Sequence, residues 1–498
     1  MKLRNTNVSL PSSSNSKPHY SILDPNPSLI DDAGNLINDI SKAIDITSYR
    51  NGTIADGVSK LILVVDSNKE LQFSINETKP DDLTNGILSC LNQTKVDNLH
   101  SAVKVSPEDI GNERSVVVAV YTPPDSFNQD RVINKTIHVN VSDPYNPDAR
   151  TLYELPITLY RPPVVLVHGI WANSCNTWIE TDFANELTNK GFIYAFADYG
   201  KHSSETFDPF DVEIKDDKPF GNYGIDSIRN TIKCILNVYH NFSIAASQVD
   251  IVAHSMGGLM ARGFVQQSDY KRKENYKKGS IHRLITIGTP HLGGPLSKLL
   301  YDHRDDRYCF DGIGEISPAE KCDAPVQLKT RIQIEGGVES LIPGSDAYSN
   351  LRQTNVKSYA IAGTWRKEAT GSHEQQASYY RTITNNNNFD LEQDGFDGEY
   401  DNDLMVSVKS QLGGLPHQIR QPGKNSIPNK GALYCNTIHA SFLKRDKNDD
   451  VFPEIKSIYI REDVIKLLGS SDDSKFSDVI GIDSPYSPQN DVSTTKCH

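Results

Sequence analysis

The segment VDIVAHSMGG at 249–258 constrains this chain more than any other. An apolar, strand-like run ends at Ser255, which is flanked by small residues, and passes at once into the helical pattern MGGLMARGFVQQ. In so tight a turn, bulky side chains two positions either side of the serine would strike neighbouring backbone. The residues there are Ala253 and Gly257. A serine held this way stands exposed above the strand end, at a helix N-terminus whose unpaired amides favour developing negative charge.

The surroundings fit a strand–helix alternation, the signature of a parallel sheet. VVLVH (164–168) reads as a buried strand, DFANELTNKG (182–191) as a helix, and FIYAFADY (192–199) as the next strand. GIDSIRNTIKCILNVYHNF (224–242) has apolar residues at helical spacing, with Asp226 or Ser227 as the expected cap. HRLITIGTP and KSYAIAGTW (358–366) supply further strands. The segment 295–345 interrupts this rhythm and is expected to form a cap or lid.

Before residue 160 the pattern is different. KLILVVDS, LQFSI, SVVVAVYT and KTIHVNVS are short β-branched or alternating runs separated by turn-forming clusters, which predicts a small all-β sandwich-like domain. Within it, ADGVSKLILVV at 55–65 resembles the opening of bacterial immunoglobulin-like domains. The expected division is a polar N-terminal extension over 1–30, the β-rich domain over 31–158, the strand–helix domain over 159–469 and a polar tail over 470–498.

Composition excludes several classes. The net charge of −13, from 51 basic and 64 acidic side chains, argues against nucleic acid, which needs a concentrated basic footprint. No run of about 18 apolar residues exists, so no transmembrane segment is expected. Seven cysteines are too few for a disulfide scaffold, and neither CxxC nor HExxH occurs. Cys309 and Cys322 are either a local bridge or two unpaired thiols. The N-terminus has basic residues but no apolar core or cleavage site. It is not an intact signal peptide, and the expectation is a secreted chain without one, with a cytoplasmic chain as the alternative. The acidic run DLEQDGFDGEYDND (390–403) has oxygen ligands that suit calcium but no EF-hand spacing. It reads as a solvated loop, and no metal or cofactor is expected.

A second motif, PPVVLVHGIWANSCNTW at 162–178, puts His-Gly directly after the first buried strand of the same domain. With the AHSMGG turn it makes the chain resemble the bacterial triacylglycerol lipase and esterase branch of the α/β-hydrolase superfamily. TIGTPHLGGP at 286–295 and GGVESLIPGSDAYSNL at 336–351 agree with it in order. The resemblance covers about 160–445. It implies an α/β-hydrolase fold, a mostly parallel sheet flanked by helices, with Ser255 as nucleophile. It also implies an oxyanion hole from the backbone amides of Ile170 and Met256, with Gly169 the alternative for the first. His168 and His254 read as structural, and Trp171 as a candidate wall of the acyl pocket.

Acyl transfer by a serine needs a base and a carboxylate to orient it, and in this fold the chain order is Ser, acid, His. Asn402-Asp403-Leu404-Met405-Val406 matches the lipase word "N-D-G-x-V" with leucine in place of glycine, which points to Asp403, with Asp401 as the alternative. Beyond it stand His417, His439 and His498. His439, in CNTIHASFL before a terminal helix, sits where relatives carry the base. The implied function is a serine esterase or lipase acting on esters with an apolar acyl part, without a cofactor. The alternatives are amide, thioester or lactone hydrolysis or acyl transfer by the same residues. A further one is a binding protein with a vestigial hydrolase domain, its β-rich domain contacting a polymer or surface.

Overall fold

The computed structural model describes residues 20–40, 49–75, 85–91, 101–111, 113–127, 134–146, 151–200, 206–210, 213–215, 218–220, 222–302, 308–311, 316–318, 329–331, 336–365, 402–403, 405–420, 427–440 and 452–481. At its centre is a seven-stranded sheet. Its spatial order is Tyr194–Ala197, Val164–Val167, Val249–His254, Ile281–Ile287, Lys357–Thr364, Gly431–Cys435 and Gln418–Ile419, all parallel.

The middle strands are buried along their whole length because helices cover both faces, which is why they read as continuous apolar runs. Alternate residues point to opposite faces. Val165, Val167, Ile251 and Ala253 enter one core with the helices Tyr223–Asn241 and Gly257–Val265. Val164, Leu166, Val252 and Ile285 enter the other, with Phe183–Asn189 and Ile458–Leu468. The helix Tyr223–Asn241 buries Ile225, Ile228, Ile232, Ile235 and Tyr239, one face at spacings of three and four. Its cap differs from expectation. Asn222, not Asp226 or Ser227, accepts from the amides of Gly224 and Ile225, each at 3.1 Å.

The N-terminal all-β region is two face-packed sheets. One holds Tyr20–Leu23, Leu61–Asp66, Ser115–Thr122, Ile87–Cys90 and Glu108–Asp109. The other holds Gly52–Ile54, Tyr153–Tyr160, Asn134–Ser142, Leu71–Ile75 and Ala102–Val105. Leu61, Leu63, Val117, Phe73, Val139 and Ile157 share the core between them. The second sheet gains an edge strand from the parallel-sheet part: Ile244–Ala245 pairs parallel to Gly52–Ile54, and the Asn51 amide donates to Ser243 O at 2.8 Å.

Two polar ends prove shorter than expected. Tyr20–Leu23, inside the expected extension 1–30, pairs with Leu61–Asp66, and Leu23, Leu29 and Ile30 are buried. Isolated apolar residues in a polar run suffice when each finds a pocket. At the other end, residues 470–481 are docked: Phe476 and Ile480 are buried, and Ser477 and Ile480 bridge Ser358 and Thr354. Within 295–345 lie the helices Pro295–Asp302 and Gly337–Ser340 and a three-stranded antiparallel sheet, Tyr308–Asp311, Ile316–Pro318 and Lys329–Arg331. Residues 303–307, 312–315, 319–328 and 332–335 of the expected cap, the acidic run before Asn402 and the side chains of Cys309 and Cys322 lie outside the described residues. Cys435 is disulfide-bonded, whereas Cys90, Cys175 and Cys234 are free thiols. No helix among the described residues is long and apolar enough to cross a membrane.

Charged groups join the sandwich to the sheet. Asp125, just beyond the strand Ser115–Thr122, lies 3.3 Å from His282 Nε2 and 2.9 Å from Lys357 Nζ, while His282 Nδ1 is 2.8 Å from Asp250. Burial alone would push the His282 imidazole down. Asp250, aided by Asp125, overrides burial and lifts its pKa to about 9. Because the folded value exceeds the ordinary 6.5, the stabilisation is complete below pH 6.5 and is lost as pH rises through 9. Its size is on the order of 3 kcal/mol. Thermal melts should therefore show a falling midpoint between pH 7 and 9.5 that His282→Gln flattens. An equal slope in the variant would refute the assignment.

Candidate active site

The sharp end of the strand Val249–His254 shapes the site. Ser255 adopts φ +56°, and its amide donates to Ile287 O at 2.9 Å, which pins the turn to the neighbouring strand. A non-glycine residue in the left-handed region is strained, a frequent mark of a functional turn. The close approach explains the small neighbours. A Cβ on Gly257 would lie 2.4 Å from His168 O, and one on Gly169 would lie 2.5 Å from Ser255 Cβ. The His-Gly loop thus packs directly against the serine.

Ser255, His439 and Asp403 form one hydrogen-bonded line. His439 Nε2 is 2.8 Å from Ser255 Oγ, and Nδ1 is 2.7 Å from Asp403 Oδ2. A charged carboxylate only accepts, so Nδ1 carries the hydrogen and Nε2 presents its lone pair to the serine hydroxyl. Asp403 is itself fixed. Its Oδ1 accepts from the amides of Met405 and Val406 at 2.9 and 2.7 Å, and its carbonyl accepts from the His439 amide at 3.0 Å. All three residues are buried, Asp403 completely. Asp401 and His498 lie outside the described residues, and His417, half-buried, takes no part in the line.

His168 is structural by its contacts. Its Nε2 accepts from the Tyr199 amide at 3.1 Å, Nδ1 lies 3.0 Å from Gly169 O, and the ring stacks on Tyr199 at 4.1 Å. Burial keeps its pKa below the ordinary histidine value. Neither the Ile170 nor the Met256 amide donates to another described residue. Ile170 and Trp171 line a cavity of about 210 Å³ that opens over Ser255 and His439. Met405 and Ile455 add to its apolar side, and Glu180 and Lys456 stand on its polar side.

This fold is decided by the parallel sheet with the serine turn at the end of its third sequential strand, together with a family match: residues 161–308 fit the model described as the PGAP1-like alpha/beta domain. The chain has an α/β-hydrolase fold. Among curated proteins, mouse GPI inositol-deacylase is 37% identical over 65 residues, 13% of this chain and 6% of that one. GPI inositol-deacylase A of Yarrowia lipolytica is 33% identical over 70 residues, 14% of this chain and 6% of that one. The match therefore spans a small fraction of either relative. Among solved structures, the mature lipase BlEst2 of Bacillus licheniformis aligns with 62% of this chain and 92% of its own, at 17% identity and a TM-score of 0.33.

One residue of the site carries no motif. Glu454, fully buried, reaches to 3.5 Å from His254 Nε2 and 3.7 Å from His439 Nδ1. It follows VFP in an otherwise apolar stretch, and only the pairing of Thr437–Ile438 with Phe452–Pro453 brings it beside His439. Burial, and then the charge of Asp403, push its pKa well above the carboxylate range. Burial, and then His439, push His254 well below the imidazole range. His254, His439 and Glu454 offer ligand atoms within 4.8 Å of one another. Both ring nitrogens of His439 are already engaged, so an ion there would have to break the line to Ser255 or Asp403.

Proposed function

We propose that the protein is a serine carboxylic-ester hydrolase, an esterase or lipase, working through an acyl-enzyme on Ser255. The observation that carries this reading is the unbroken line Ser255–His439–Asp403, whose serine and histidine line the cavity. His439 Nε2 takes the Oγ proton as the serine attacks the ester carbonyl, and Asp403 stabilises the imidazolium that results. The amides of Ile170 and Met256 receive the oxyanion. Such preorganised donors are worth roughly 3 kcal/mol each in transition-state stabilisation. The imidazolium then protonates the leaving alcohol. Water, deprotonated by the same nitrogen, releases the acid and restores the serine.

The apolar wall of Ile170, Trp171, Met405 and Ile455 supports an apolar acyl part. The short match to proteins named GPI inositol-deacylase points in the same direction, toward removal of an acyl group. The cavity is small for a long chain, so turnover of p-nitrophenyl acetate and butyrate should exceed that of the palmitate ester. A preference for palmitate would assign a longer acyl channel and favour a lipase. Absence of turnover on all three, with activity on amides or thioesters, would move the reading to those substrates.

A further inference from the structure

Glu454 is a fully buried carboxyl group beside the Ser255–His439–Asp403 line that this line does not use. Both of its carboxyl oxygens are buried, with Asp403 as the neighbouring carboxyl within hydrogen-bonding reach and His254 Nε2 3.5 Å from Oε2. Burying two carboxyl groups side by side carries a desolvation cost that only shared protonation and hydrogen bonding relieve. A carboxyl group retained at that cost, 3.7 Å from the nitrogen that Asp403 orients, calls for a role. Its berth is built for it. A Cβ on Gly288 would lie 1.9 Å from Oε2, and one on Gly363 2.7 Å from Oε1, so two strand-end glycines leave the space the carboxyl fills. The strand register, Ile438 opposite Pro453, sets Glu454 alongside His439.

We propose that Glu454 is a second positioning acid for His439, neutral while Asp403 is charged and able to take the Nδ1 side of the imidazole when Asp403 cannot. This rests on the proposed function of Ser255 and His439. Two carboxylates side by side in a dry site do not both ionise, so one proton stays on the pair. The groups facing Glu454 are Asp403, His439 and His254, with His168 behind His254. Burial and the Asp403 charge put the proton on Glu454. When Asp403 is removed, only burial holds that proton. Glu454 then releases it to solvent as pH rises, and the carboxylate accepts the Nδ1 hydrogen of His439.

The test compares kcat and KM for p-nitrophenyl butyrate from pH 6 to 9.5 in wild type, Ser255→Ala, Asp403→Ala and Asp403→Ala/Glu454→Gln. Asp403→Ala should keep a kcat that climbs with pH, and the double variant should lose that climb and fall at least ~10-fold below it at pH 9, with KM little changed. A merely structural Glu454 would shift stability but not create an alkaline limb. If Asp403→Ala fails to fold, Asp403→Ser carries the same comparison, because its hydroxyl can still accept from the Met405 or Val406 amide. Equal single and double variants at every pH, with wild-type activity lost in Ser255→Ala, overturn the Glu454 assignment alone. Activity retained in Ser255→Ala overturns the proposed function and this inference with it.

Discussion

Ser255→Ala should lower kcat for p-nitrophenyl butyrate by at least ~10⁴-fold while leaving the thermal midpoint within a degree or two of wild type. The size follows from the proposed role. Without the hydroxyl no acyl-enzyme can form, and His439 and the oxyanion amides retain only a residual capacity to activate water. The small structural effect follows from the surroundings. The turn is held by the Ser255 amide on Ile287 O and by the packing of Gly169 and Gly257, and the variant touches none of these. A loss below tenfold, measured on protein free of contaminating esterase, would mean that another group starts the reaction.

The largest expected effect on stability lies on the opposite face of the sheet. Asp463, buried on the helix Ile458–Leu468, accepts from Arg420 Nη2 at 3.0 Å and from the Tyr434 hydroxyl at 2.6 Å, and Arg420 Nε adds a second bond. These residues tie the last helix to the two strands at that edge, Gln418–Ile419 and Gly431–Cys435. Asp463→Ala would take from the buried Arg420 guanidinium the carboxylate that accepts from its Nε and Nη2. Breaking a buried pair by removing one partner costs about 3–5 kcal/mol. Urea unfolding should show a midpoint shift of that size for Asp463→Ala and a smaller one for Asp463→Asn, which keeps one acceptor. A cost under 1 kcal/mol would mean that water reaches Arg420 freely once the carboxylate is gone. Kinetic constants of the folded variant should stay near wild type, since the cluster lines no part of the cavity over Ser255.

How legible the molecule is in its sequence depends on whether a feature is local. The parallel sheet was readable because strands buried on both faces are continuous apolar runs, and the serine turn because its crowding admits only small neighbours. His-Gly, Ser255 and His439 sit in short words, and Asp403 in a word with one altered letter, so the resemblance to lipase words suffices to nominate them. Glu454 was not legible. A lone acid in VFPEI carries no spacing signal, and its meaning arises only when a two-residue strand pairs beside His439. The edge strand Ile244–Ala245 is too short to show a period. Tyr20–Leu23 and Phe476 were masked by polar neighbours, because apolar residues that fill separate pockets make no run. Asn222 was missed as a cap because the helix begins before its first apolar pair.

The central claim is that Ser255 becomes acylated, and covalent trapping tests it most directly. The protein would be treated with diethyl p-nitrophenyl phosphate and analysed by intact mass and peptide mapping. The account predicts one diethylphosphoryl adduct per chain, located on Ser255, forming in step with loss of esterase activity and absent from His439→Ala. An active enzyme that takes up no adduct, or one modified at a different residue as activity disappears, would contradict it.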